Sequence, residues 1–153
     1  MGVSISYWID CTKSKNPKIE FSTSEYLLER FGNNVYIYFE NDLGLTSDNR
    51  WNTFIREYTQ NTPHYNFFSE RTIDYIKTNF AEAFGSTKIL VIADSCFELH
   101  GKIEDMLYEE VSIDEIIKTV PSENVIYLKK EYSQEELDRI EVTSHNMIFI
   151  YEL

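Results

Sequence analysis

The stretch Lys88-Ile-Leu-Val-Ile-Ala-Asp94 constrains this chain more than any other. Five consecutive apolar residues, bounded by a cation and an anion, show none of the alternation of a half-solvated strand. A strand of this kind is buried on both of its faces, so it belongs in the middle of a sheet that is covered on both sides. The run is also far too short to span a bilayer. With 153 residues the chain has enough material for one such layered core, and two cores would leave each one marginal. A single domain over 1–153 is therefore expected.

The flanking sequence supplies elements to build around that strand. Val3-Ser-Ile-Ser-Tyr-Trp-Ile9 alternates with period two and predicts a strand, followed by a polar loop through Lys13 to Lys18. Ser22-Thr-Ser-Glu25 has the form of a capping box and predicts a short helix that Gly32 ends. Val35-Tyr-Ile-Tyr-Phe39 predicts a second strand. Trp51, Phe54, Ile55 and Tyr58 have helical spacing after Ser47 or Asp48, with Pro63 beyond the helix end. A further helix, opening near Ser69 and stopping at Gly85, carries the stripe Ile73, Ile76, Phe80 and Phe84. After the central strand, helices are expected from about Lys102 to Tyr108 and from Ser112 to Val120. Strands follow at Asn124–Leu128 and Met147–Tyr151, with a short helix opened by Ser133-Gln-Glu-Glu136 between them. Helix separates every strand from the next in this reading. The expected fold is therefore α/β, with about five strands in a parallel or mixed sheet covered by helices.

Several classes of function find no support in the residues. The first residues contain no basic region followed by an apolar stretch, so no secretory signal is read, and a cytoplasmic location is expected. Two cysteines, Cys11 and Cys96, are too few for the disulfide framework of a small secreted domain. No paired-cysteine, His-x-x-x-His or calcium-loop pattern occurs, and neither glycine-rich phosphate cradle is present. No metal and no cofactor is therefore expected, and no membrane partner either.

The charge is unevenly spread. Up to Ala93 there are eleven acidic and nine basic residues; from Asp94 onward there are fifteen and five, which together make the net charge of −12. The densest acidic segment holds Glu104, Asp105, Glu109, Glu110, Asp114 and Glu115, with Tyr108 among them. Glu115 and Glu136 are explained as first-turn acids that favour the positive end of a helix dipole. The others exceed what capping requires. They form either a solvated surface that keeps the chain soluble or a negative patch that steers a basic partner. The same negative field opposes direct nucleic-acid binding.

Two other places carry chemistry-bearing residues. Asp94-Ser95-Cys96 follows the central strand, where α/β folds place ligands, and Cys96 is a candidate nucleophile with His100 or His145 as its base. Its alternative is a turn or helix cap with a buried thiol, since Ser95-Cys-Phe-Glu98 also has capping-box form. An enzyme with a pocket around Asp94, Cys96 and His100 is thus the alternative function. His64-Tyr65-Asn66-Phe67-Phe68 is an aromatic loop that either anchors a partner, with Tyr65 its most exposed ring, or folds back on the next helix.

Small size, acidity, an α/β pattern and eleven tyrosines, taken over the whole chain, make the sequence similar to the bacterial immunity proteins that neutralise polymorphic or contact-dependent toxins. That resemblance implies an inhibitor, not an enzyme, whose partner is one cognate toxin domain. Such a domain is often a basic nuclease, blocked by charge complementarity. The residues expected to bind it are Glu104, Asp105, Tyr108, Glu109, Glu110 and Asp114, with Tyr65 from the aromatic loop.

Overall fold

The structure, a computed structural model, describes residues 5–39, 71–93, 98–127 and 148–153. The expected helix after Ser47, the loop His64–Phe68 with Tyr65, the segment Asp94–Cys96, the helix at Ser133 and His145 all lie outside the described residues.

Six described strands form one mixed sheet: β1 (Ile5–Asp10), β2 (Tyr26–Phe31), β3 (Asn34–Phe39), β4 (Lys88–Ala93), β5 (Val125–Tyr127) and β6 (Ile148–Glu152), in the order β2-β3-β1-β4-β6-β5. As the apolar run requires, β4 lies inside the sheet, antiparallel to both β1 and β6. Its side chains divide between two cores, Ile89 and Val91 in one and Leu90 and Ile92 in the other. β1 divides the same way, with Tyr7 and Ile9 opposite Trp8, and so does β6, with Phe149 opposite Ile148 and Ile150. β5 and β6 make the parallel pair, and the other printed pairings, including β1 with β3, are antiparallel.

The helix expected from Ser22 is instead strand β2, and this is what makes six strands out of about five. Thr23 Oγ1 accepts from the backbone N–H groups of Glu25 and Tyr26, both at 3.1 Å, so the capping-box residues close a tight turn rather than open a helix. Gly32 does not end a helix. It takes φ +60 as the first of two turn residues between Phe31 and Asn34, the glycine-first turn whose twist suits a hairpin. Leu27, Leu28, Glu29 and Arg30 have fair helix propensity, but pairing along the whole of β3 outweighs it.

One face of the sheet is covered by α1, residues 71–84, which runs as α-helix over Arg71–Ile76, as a π-helical segment over Lys77–Ala81, and as α-helix again over Glu82–Phe84. It buries the expected stripe Ile73, Ile76, Phe80 and Phe84 against Tyr7, Ile9, Val35, Ile37 and Phe149. Within the widened turn, Asn79 Nδ2 donates to the carbonyl of Tyr75 at 2.8 Å. The other face is covered by α2 (Glu98–Tyr108) and α3 (Ile113–Thr119), which bury Ile103, Leu107, Ile113 and Ile116 over Trp8, Leu90, Ile92, Ile148 and Ile150. The capping box at Ser112 forms as expected, its Oγ accepting from the N–H of Glu115 at 3.2 Å.

Candidate functional site

The carboxylates of the acidic segment are positioned by the helical period of α2. His100, Ile103 and Leu107 point into the core, which turns Glu98, Asp105, Tyr108 and Glu109 outward. Glu98 is held by Lys102 at 3.1 Å one turn on, a surface pair. Glu104 is only half-buried and stands one turn before Tyr108 on the same side of the helix.

The end of α2 is fixed in three ways. Its last turn closes with Val111 N donating to Met106 O at 2.9 Å and Glu110 N donating to Leu107 O at 3.2 Å, the paired bonds of a Schellman cap. That cap places Glu110 at φ +68, the one described residue other than glycine with positive φ. Buried Asn34, the first residue of β3, donates from Nδ2 to Leu107 O at 3.2 Å and Val111 O at 2.7 Å, which ties the acidic end of α2 to the hairpin. The side chain of Glu110 then lies over Gly32, so closely that a Cβ there would meet Glu110 Oε1 at 2.9 Å. Glycine is needed at position 32 for the turn and for this contact.

Beside these carboxylates is a group of aromatic rings. Trp8, only 1% exposed, has its ring centroid 5.0 Å from Tyr36, 5.6 Å from Tyr108 and 5.9 Å from Phe31, and Phe31 lies 5.0 Å from Tyr108. The rings pass from buried Trp8 through partly buried Phe31 and Tyr36 to Tyr108, which is 49% exposed. Across β2 and β3 the same sheet face continues as the opposed pairs Glu29–Tyr36 and Leu27–Tyr38, with Glu29 exposed and Tyr38 45% exposed.

Of the residues expected to bind a partner, Glu104, Tyr108, Glu109 and Glu110 therefore come together at one end of α2. Asp105 is exposed on the outward side of that helix. Asp114 belongs to the first turn of α3 and is ion-paired with Lys88 at the start of β4, so its charge is partly committed to the fold. For the alternative pocket, His100 is described and is buried at 1% exposure on the inward side of α2. The sequence reading missed Asn34, Phe31, Tyr36, Tyr38 and Glu29. The signal for them is Gly32-Asn33, a two-residue pair that suits a hairpin turn as well as a helix stop.

The opposite face has its own perturbed groups. Tyr75 donates from its hydroxyl to Glu25 Oε2 at 3.2 Å. Burial, then that hydrogen bond and the charge of Glu25, hold the Tyr75 phenol above its usual value of 10.0. Burial, followed by the charges of Glu20 and Glu25, moves Tyr26 the same way. Among the described residues no group of three or more His, Cys, Asp or Glu is placed to hold a metal ion, and no helix is long and apolar enough to cross a membrane. Comparison with family models, with curated proteins and with solved structures finds no match, so the site stands on its own geometry.

Proposed function

We propose that the protein is an immunity-type inhibitor acting in the cytoplasm, which binds and neutralises a cognate basic, nuclease-like toxin domain through the acidic end of α2. One observation carries this reading: a half-exposed tyrosine, Tyr108, stands at the end of α2 between Glu104, one turn before it, and exposed Glu109 and Glu110, which follow it in the chain. Protein interfaces combine aromatic anchors with complementary charge at the rim. The charges speed and orient encounter, and the rings supply the contact that persists. A phosphate-binding toxin offers the matching positive surface.

The test is co-expression of the toxin domain with the wild-type chain or with Glu109→Lys/Glu110→Lys. The double reversal is expected to abolish protection and to lower the affinity at low salt by about tenfold or more, a loss that narrows as ionic strength rises. Protection and salt dependence unchanged by the reversal would remove the acidic surface from the mechanism.

A further inference from the structure

We infer that the aromatic sheet face of β2 and β3, rather than the acidic segment itself, holds the centre of recognition, and that it takes an arginine side chain of the partner. The inference rests on the reading of this region as a protein-binding surface and names what that surface grips. The second core draws its buried residues from β1, β4, β5, β6, α2 and α3, with Phe31 and Tyr36 only at its margin. Beyond that margin the sheet face carries Leu27, Glu29 and Tyr38, and Tyr38 and, on α2 beside that face, Tyr108 are each about half exposed.

The chemistry of this strip selects a cation. Ring faces present negative charge density to a guanidinium or ammonium group. Carboxylates stand on both sides: Glu29 directly across the strand pair from Tyr36, Glu104 on the α2 side, and Glu110 over the hairpin turn. Directly opposed residues on one sheet face have Cβ atoms roughly 5 Å apart, so a group stacked on Tyr36 or Tyr38 is within reach of the Glu29 carboxylate. Arginine suits the arrangement better than lysine. Its planar group stacks on a ring while its N–H fork binds a carboxylate, whereas an ammonium is a compact and strongly hydrated point charge. The more distant carboxylates, Asp105 and Glu109, then contribute long-range attraction that does not distinguish the two.

The experiment titrates the full chain with hexa-arginine and with hexa-lysine, following affinity by calorimetry and the tyrosine ring signals by NMR. Hexa-arginine is expected to bind about three- to tenfold more tightly, with signals of Tyr36, Tyr38 and Tyr108 shifting. Tyr38→Val, which keeps a strand-forming residue at an exposed position, and Glu29→Gln are each expected to remove most of that preference. Equal affinities with unmoved ring signals would overturn the inference. Glu109→Lys/Glu110→Lys in the same titration keeps the two readings apart. If it weakens both peptides while no arginine preference exists, the acidic surface stands and the ring anchor fails. If it weakens neither while a preference that depends on Tyr38 persists, the anchor stands and the acidic-patch mechanism fails.

Discussion

Helices α1 and α2 lie on opposite faces of the sheet and end in the same backbone geometry with different residues. At the end of α1, Gly85 takes φ +68, with Gly85 N donating to Glu82 O and Ser86 N to Ala81 O. At the end of α2 the equivalent bonds form and φ is again +68, but the residue is Glu110. Glycine adopts this conformation without steric cost, and a residue with a Cβ does so at a cost of roughly 1–2 kcal/mol. The surroundings explain half of the contrast. A Cβ at Gly85 would be 2.3 Å from Thr12 Oγ1, so glycine is required there by space as well as by conformation. Nothing comparable requires a side chain at position 110. Its carboxylate covers the hairpin turn and stands with Glu104, Tyr108 and Glu109 at the proposed interface. Unfavourable backbone conformations that persist tend to be found at functional sites.

The contrast can be broken most severely at Gly85. Gly85→Ala is expected to destabilise the fold by about 2–3 kcal/mol, combining the left-handed cost with loss of the Thr12 hydroxyl bond to the Gly85 carbonyl. Urea denaturation measures it, and a change within error would show that the end of α1 has room to adjust. Glu110→Gly is the converse substitution. It is expected to raise stability by about 1 kcal/mol or less while weakening partner binding. A comparable loss of stability would mean that the contact of Glu110 with the hairpin outweighs its backbone cost, and the two helix ends would then not be comparable.

The smallest effect sharpens the comparison on the α1 face. Tyr75 and Tyr26 hold their protons more tightly in the folded chain than in the unfolded one. Between the usual value and the raised one, the native state therefore binds more protons, and the unfolding free energy falls as pH rises. The contribution is complete below pH 10.0 and is lost as pH climbs through the raised values. Tyr75→Phe is expected to make the alkaline decline shallower, as read from urea midpoints across that range. An identical pH slope in the variant would show that other groups govern it.

How much was legible in advance depended on the range of the interactions involved. The β4 run, the Ile73–Phe84 stripe, the Ser112 cap and the stop at Gly85 are written in neighbouring residues, and each forms where its local pattern places it. The Ser22–Gly32 segment shows the limit. A hydroxyl at position 23 that accepts from nearby N–H groups serves a turn as well as a helix start, and a glycine that takes positive φ serves a hairpin as well as a helix end. Local chemistry was the same in both readings, and only β3, lying alongside, decided between them.

The acidic end of α2 divides in the same way. Sequence alone determined that carboxylates and Tyr108 would crowd one helix end, because charge and helical period are properties of consecutive residues. Tertiary structure decided what lies beside them. It brought Phe31, Tyr36 and Glu29 from a hairpin more than seventy residues earlier in the chain, anchored the helix end through Asn34, and committed Asp114 to Lys88. Those contacts depend on strand order and register. These are set by the burial of two opposite faces at once, a constraint that no single segment of the chain contains.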